Sequence, residues 1–164
     1  MTKTYNVLIL CTGNSARSIL GEAVFNHYGN GKFRAFSAGS RPAGLPNPFA
    51  IDLLKREGID TAFARSKSWD EFALPDAPKM DFAITVCDSA AAEECPYWPG
   101  APVNAHWGLP DPAAVEGSDA EKAVAFAETY AALMRRAQAF AALPIETLDN
   151  LALKTKLSDI GHSE

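Results

Sequence analysis

The chain has 164 residues, of which 48% are hydrophobic and 21% charged, a composition typical of one folded globular domain. A net charge of -5 excludes a broad basic surface, so we expect no nucleic-acid partner and expect any bound anion to be held by local groups. The sequence shows neither a signal peptide nor an apolar run of the ~20 residues that a membrane span requires, which predicts a cytoplasmic protein without a membrane partner.

Apolar residues recur along the chain with alternating strand and helix periods. The predicted elements, in order, are a strand at 5–10, a helix at 19–27, a strand at 32–38, a helix between Asn47 and Gly58, a short helix opened by a capping box at Ser68, a strand at 81–86, a brief strand at 103–107 and a helix from Ser118 to about Leu143. Beyond Pro144, the spacing of apolar residues predicts one more amphipathic helix.

This alternation predicts an α/β fold, a single-domain doubly wound four-stranded parallel sheet with helices on both faces. Residues 1–143 are expected to form the domain, and residues 144–164 a helical extension packed on it. Ligands of such sheets bind at the carboxyl ends of the strands. Cys11 and Cys87 each follow a predicted strand, so we expect these two cysteines to face one crevice.

The sequence contains three cysteines, Cys11, Cys87 and Cys95. In a reducing cytoplasm they are expected to be thiols, and their odd number favours nucleophilic or redox chemistry. The alternative left open by the residues alone is that all three pack in the core as small apolar side chains.

The segment from Cys11 to Ser18 reads Cys-Thr-Gly-Asn-Ser-Ala-Arg-Ser and joins the first strand to the first helix. The N–H groups of such a loop and of the first helical turn, with the helix dipole, can bind a tetrahedral oxyanion. Arg17 adds a planar fork for two oxygens, and the positive field favours the nucleophilic thiolate form of Cys11. Ser18 can donate a hydrogen bond to the sulfur. The expected oxyanion-binding residues are Thr12, Gly13, Asn14, Ser15, Ala16 and Arg17.

These features resemble the low-molecular-weight protein-tyrosine-phosphatase superfamily and, within it, the thioredoxin-linked arsenate reductases. The matching segments are Cys11 to Ser18, Ser37-Ala38-Gly39, Asp111-Pro112 and, for the arsenate reductases in particular, Val86-Cys87, Cys95-Pro96 and His106-Trp107-Gly108. The resemblance extends from Tyr5 to about Leu143 and implies arsenate reduction in the cytoplasm.

The resemblance implies that Asp111 is the general acid, since a carboxylic acid on a loop can protonate an oxygen that leaves the bound oxyanion. Without the resemblance, an aspartate before proline would be interpreted as a turn residue. Phosphatase members typically carry a tyrosine soon after this Asp-Pro pair. Here Ala113, Ala114 and Val115 follow, which favours a small inorganic substrate.

The resemblance also implies a disulfide relay among the three cysteines. Cys11 attacks arsenate, Cys87 then attacks the Cys11–arsenic adduct, and Cys95 moves the disulfide outward to a reductant, either thioredoxin or glutathione with glutaredoxin. Phosphate or sulfate would compete with arsenate for the loop. Seven residues separate Cys87 from Cys95, slightly more than the resemblance leads us to expect.

Some relatives of this kind bind a potassium ion, and the residues that match its ligands are Asn14, Glu22 and Ser37. Ser68 occupies the position of a further acidic ligand. Potassium is therefore a candidate ion, and no tightly bound cofactor is expected otherwise.

Two alternatives use the same residues differently. A protein-tyrosine phosphatase or other phosphomonoesterase would need Cys11, Arg17 and Asp111 but neither of the other two cysteines. A non-catalytic redox sensor or anion-binding module would use the cysteines and leave Asp111 idle. Turnover of arsenate would indicate the reductase, turnover of a phosphate ester would indicate the phosphatase, and turnover of neither would indicate the non-catalytic module.

Overall fold

The computed structural model describes residues 3–29, 31–87 and 98–162. Its helices and strands, in chain order, are β1 (Tyr5–Cys11), α1 (Arg17–Tyr28), β2 (Phe33–Gly39), α2 (Pro48–Arg56), β3 (Phe82–Thr85), β4 (Val103–His106), α3 (Asp119–Ala141) and α4 (Asn150–Gly161). Short 3-10 helices also occur at Trp69–Phe72, Pro112–Ala114 and Ile145–Thr147. Cys95, the third cysteine of the relay implied by the resemblance, lies outside the described residues.

The four strands form one parallel sheet in the order β2-β1-β3-β4, which confirms the predicted α/β fold. Cys11, at the end of β1, pairs with Gly39 at the end of β2. Because all four strands run in one direction, their carboxyl ends meet at one edge of the sheet. That edge carries the loop after β1 and, just beyond β3, Cys87.

Both faces of the central strand β1 are buried, which explains its continuous apolar sequence. Val7 and Ile9 belong to the larger hydrophobic cluster, which all four helices help to form. Leu8 and Leu10 belong to a second cluster on the opposite face. Within the described residues, that second cluster also contains Trp69, Phe72, Met80 and Trp98.

Several helix starts follow the predicted capping chemistry. Asn47 caps α2 by accepting a hydrogen bond from the N–H of Phe49 at 2.9 Å, and Ser118 and Glu121 form the predicted capping box of α3. The expected capping box at Ser68 is only partly right. Its hydroxyl accepts from Asp70 N–H and the helix it opens is a single 3-10 turn.

Glu71, which would close the Ser68 capping box, forms a different interaction. Both of its carboxylate oxygens accept hydrogen bonds from the Arg65 guanidinium at 2.9 Å. A bidentate charged pair is stronger than a hydrogen bond to one neutral N–H, so the carboxylate turns toward the arginine.

The C-terminal helix α4 packs against β4, an edge strand of the sheet. Trp107, fully buried just after β4, donates its indole N–H to the carbonyl of Leu157 at 2.9 Å. A Cβ on Gly161 would lie 2.7 Å from the Trp107 ring, so glycine permits this close approach. Among the helices of residues 3–29, 31–87 and 98–162, none combines the length and apolarity needed to cross a lipid bilayer.

Candidate active site

The segment between β1 and α1, residues 11–17, is called the oxyanion loop below. Three of its carbonyl groups point toward the chain after β2 and accept backbone N–H bonds from it at 2.7–2.9 Å: Arg41 to Thr12, Ala43 to Gly13 and Asn47 to Ser15. In a planar trans peptide, the carbonyl of one residue and the N–H of the next point in opposite directions. The N–H groups of residues 13, 14 and 16 are therefore directed to the other side, where an oxyanion can accept from them.

Two backbone features hold the loop in this shape. Asn14 has a φ of 44°, a left-handed conformation that asparagine tolerates better than most residues. Gly39 lies directly against the loop: a Cβ there would be 2.8 Å from the Cys11 carbonyl oxygen and would collide with that of Thr12. Only glycine allows the end of β2 to approach the loop so closely.

The sulfur of Cys11 lies 3.0 Å from the hydroxyl oxygen of Ser18, in the first turn of α1. The Ser18 oxygen accepts a hydrogen bond from the side-chain amide of Asn14 at 2.8 Å. With that acceptor position used, the hydroxyl proton of Ser18 is available to the sulfur. Cys11 is thus placed at the base of the loop with a hydrogen-bond donor beside it.

Cys87 reaches the same loop from the end of β3. Its sulfur accepts a hydrogen bond from the N–H of Thr12, the residue after Cys11, at 3.3 Å, and lies 3.6 Å from the Thr12 hydroxyl oxygen. Both cysteines are buried thiols that form no disulfide. The fold therefore brings together two cysteines that are far apart in sequence.

Arg17 and Asp111 lie at the rim of the site. One guanidinium nitrogen of Arg17 donates to the carbonyl of Leu109 at 2.9 Å, and another is 3.7 Å from an Asp111 carboxylate oxygen. The other Asp111 oxygen accepts from the N–H of Ala113 and caps the 3-10 helix Pro112–Ala114. The side chain of Asp111 is 44% exposed, so an anion bound at the loop could reach it although Asp111 also caps this turn.

Behind the oxyanion loop lies a buried polar cluster formed by Asn14, Glu22, Ser37 and Lys67. Asn14 accepts from the N–H of Lys67 at 2.8 Å and donates to Ser37, and the Ser37 hydroxyl donates to Glu22 at 2.5 Å. The Lys67 ammonium lies 3.6 Å from the same carboxylate. Burial raises the pKa of Glu22 and lowers that of Lys67, while the attraction between the two charges opposes both shifts.

Sequence reasoning missed Lys67 and also Arg136. From α3, Arg136 donates to the carbonyls of Trp107 at 3.1 Å and Gly108 at 3.5 Å, and so supports the chain that leads to Leu109 and Asp111. Neither residue has a local motif that marks it: Lys67 lies between two serines, and Arg136 lies in an alanine-rich helix. All eight residues predicted from Cys11 to Ser18 lie in or beside this site, and so do Cys87 and Asp111.

The sequence matches the model of the low molecular weight phosphotyrosine protein phosphatase family over residues 6–154. The chain belongs to that family, and the match extends beyond Leu143 into α4. This confirms the family that the sequence motifs indicate.

Within the family, relatives that are 33–37% identical to this chain are named arsenate reductases. The arsenate reductase of Halalkalibacterium halodurans is 36% identical over 135 residues, which are 82% of this chain and 94% of the relative. An arsenate reductase structure from Archaeoglobus fulgidus matches with a TM-score of 0.65 at 26% identity, over 84% of this chain and 99% of that one.

A thioredoxin-dependent arsenate reductase of Corynebacterium glutamicum matches with a TM-score of 0.55 at 27% identity. The match covers 80% of this chain and 59% of that one, so this chain spans less than two thirds of that neighbour. Together, the comparisons favour the arsenate reductase interpretation over the phosphatase and the redox sensor.

Proposed function

We propose that this chain reduces arsenate to arsenite, with Cys11 as nucleophile and Cys87 as the thiol that removes arsenic from it. The observation that carries the mechanism is the hydrogen bond from the N–H of Thr12 to the Cys87 sulfur, which places a second thiol at the oxyanion loop. A phosphatase needs only the first thiol. The relatives named arsenate reductase support the same substrate.

In the first step, arsenate lies in the loop, where it accepts from inward-directed N–H groups and from the guanidinium of Arg17. The Cys11 thiolate attacks arsenic and a sulfur–arsenic bond forms. An arsenic-bound hydroxyl leaves as water after it takes the proton of Asp111. The Asp111 carboxylate lies 3.7 Å from the Arg17 guanidinium, which supports these two roles.

In the second step, the Cys87 sulfur, as a thiolate, attacks the Cys11 sulfur. A Cys11–Cys87 disulfide forms, the sulfur–arsenic electron pair passes to arsenic, and arsenic(V) becomes arsenic(III), which leaves as arsenite. Two thiols have then lost two electrons, and arsenic has gained them. Ser18 stabilises the Cys11 sulfur as it forms and breaks these bonds.

In the third step, Cys95 attacks Cys87, which frees Cys11 and leaves a Cys87–Cys95 disulfide for an external dithiol to reduce. We propose thioredoxin as that reductant, because the structurally similar Corynebacterium glutamicum reductase depends on it. This chemistry needs a compartment that keeps thiols reduced, and we therefore place the protein in the cytoplasm.

The test is arsenite release by the purified protein with one electron source at a time. The assay uses arsenate with thioredoxin, thioredoxin reductase and NADPH, and then with glutathione and glutaredoxin. We expect sustained arsenite release with the thioredoxin system. Hydrolysis of an aryl phosphate at a higher kcat/KM, with no arsenite formed from either source, would establish the phosphatase alternative instead.

A further inference from the structure

The residues implied as potassium ligands, Asn14, Glu22 and Ser37, do converge in the structure, but the ammonium of Lys67 lies beside the side-chain oxygens of Glu22 and Ser37. Its nitrogen is 3.3 Å from the Ser37 hydroxyl oxygen and 3.6 Å from a Glu22 carboxylate oxygen, and it donates to the Arg65 carbonyl at 3.0 Å. An ammonium has three protons to donate, and three oxygens surround this one.

The remaining groups are unsuited to an additional metal cation. Asn14 directs its amide nitrogen, which cannot ligate a cation, toward Ser37 at 3.0 Å, and its oxygen accepts from the backbone of Lys67. Ser68, at the position of the further acidic ligand, uses its hydroxyl to cap the following 3-10 helix. A potassium ion would also place a second positive charge beside the single Glu22 carboxylate in a buried site, where uncompensated charge is costly.

We propose that Lys67 is the resident cation of this site and a positioning residue for the reaction, so that the enzyme needs no potassium. The ammonium neutralises Glu22 and donates to Ser37, which in turn accepts from Asn14. Asn14 then donates to Ser18, the group beside the Cys11 sulfur.

The backbone of Lys67 also forms hydrogen bonds with the residues that hold the oxyanion loop. Its N–H donates to Asn14, and its carbonyl accepts from the N–H of Gly39 at 2.9 Å, next to the bridge between Gly39 and Ser68. The lysine is therefore carried by a segment fixed to the end of β2. If its side chain left Glu22, the buried carboxylate would lose the cation that balances its charge.

The first experiment uses the wild-type protein and depends on the proposed function only for its activity readout. The midpoint of thermal unfolding and the kcat/KM for arsenate are measured in potassium chloride and in choline chloride at equal ionic strength. We expect both to be the same in the two salts. A gain specific to potassium in the wild-type protein would overturn the proposal, whatever the folding of any variant.

The second experiment removes the ammonium. In Lys67→Ala, the shortened side chain leaves room for a cation beside Glu22, so we expect kcat/KM in choline chloride to fall about 10- to 100-fold and potassium to restore most of it, with a parallel rise in the unfolding midpoint. In Lys67→Met, the uncharged side chain fills the space, and we expect the same loss without rescue. Lys154→Ala, at an exposed position of α4, is the matched control and should respond to neither salt.

The outcomes of these experiments distinguish a failure of the proposed role of Lys67 from a failure of the proposed arsenate reductase function. A folded Lys67→Ala protein with wild-type behaviour in choline chloride, or with a loss that potassium does not reverse, would show that Lys67 is only a packing residue. If no arsenite is formed by any variant, the proposed function fails, but the potassium dependence of the unfolding midpoint still decides the role of Lys67.

Discussion

The two sides of the oxyanion loop differ in how completely their polar groups are paired within the protein. On the outer side, Arg17 and Asp111 are held loosely at 3.7 Å, and the carboxylate is 44% exposed. On the inner side, Asn14 and Ser37 are completely buried, and each makes more than one hydrogen bond within the cluster that contains Lys67. In the proposed mechanism, the outer groups bind the substrate, while the inner groups hold the loop in its shape.

This difference explains how a loop can bind an anion without collapsing around it. N–H groups that are reserved for an anion do not stabilise the loop while no anion is bound. Another part of the structure must therefore hold the loop in place. The buried cluster and the close approach of Gly39 do so from behind. Variants on the outer side should therefore change rates with little effect on stability, and variants on the inner side should change both.

The largest effect is expected from Cys87 and Cys95, the second and third cysteines of the proposed relay. Cys87→Ser should reduce sustained arsenate turnover by ~1,000-fold or more, because arsenic stays bonded to Cys11. Cys95→Ser should release one equivalent of arsenite and then stop with Cys11 joined to Cys87, since only the outward transfer of the disulfide is lost. Mass mapping of each protein after one equivalent of arsenate, without reductant, measures the difference.

The unfolding midpoint is the control for both cysteine variants and should stay close to that of the wild type. Sustained turnover of Cys95→Ser with thioredoxin would contradict the three-cysteine relay. It would indicate that the reductant attacks the Cys11–Cys87 disulfide directly.

The next effect in size is expected from Asp111→Asn, which keeps the cap of the 3-10 helix Pro112–Ala114 but removes the acidic proton. We expect kcat for arsenate to fall ~100-fold or more because the leaving oxygen is no longer protonated. Rapid-quench measurement of arsenic bound to Cys11 isolates this step. Near-normal formation of the adduct would mean that Asp111 is only a turn residue.

A smaller effect is expected from Gly39→Ala, a change at the boundary between the two sides of the loop. The added Cβ would lie 2.8 Å from the Cys11 carbonyl oxygen and 3.0 Å from the Asn14 nitrogen, so the loop must shift. We expect a loss of about 1–3 kcal/mol in the free energy of unfolding, the usual cost of overpacking, together with weaker protection of Cys11 from alkylation by arsenate.

Gly13→Ala is the matched control for the stability measurement at Gly39. Its Cβ would meet only the Ser15 hydroxyl oxygen at 3.6 Å, an ordinary contact. Urea unfolding of the two proteins compares them directly. Equal losses would show that the approach of β2 to the loop does not constrain its shape.

The smallest effect is expected from the Arg65–Glu71 pair, which lies on the surface beside the Lys67 segment. The Arg65 guanidinium lowers the pKa of Glu71 in the folded protein, so the pair stabilises the fold above the pKa of the unfolded chain and loses this contribution as pH falls through the lowered value. With both side chains exposed to solvent, a double-mutant cycle with Arg65→Leu and Glu71→Gln should give about 0.2–1 kcal/mol at neutral pH.

The cycle repeated at a pH below the lowered pKa of Glu71 should give no coupling energy. A coupling that persists in acid would mean that the two side chains interact through packing rather than charge.

Local sequence determined much of this protein. The apolar periods predicted the strands and helices, and the motif from Cys11 to Ser18 predicted the oxyanion loop, because a strand–loop–helix unit brings its own N–H groups and arginine together within eight residues. The capping residues Asn47 and Ser118 marked helix starts for the same reason, since a cap interacts with residues only two or three positions away.

The tertiary structure alone decided what holds the loop from behind. Lys67 meets Glu22 and Ser37 only because β2 pairs with β1 and the 66–68 segment then bridges to the end of β2. No periodicity or motif in the sequence records a contact between residues so far apart. Three-dimensional packing therefore brings the Lys67 ammonium beside Glu22, at the position where the family resemblance implied a potassium ion.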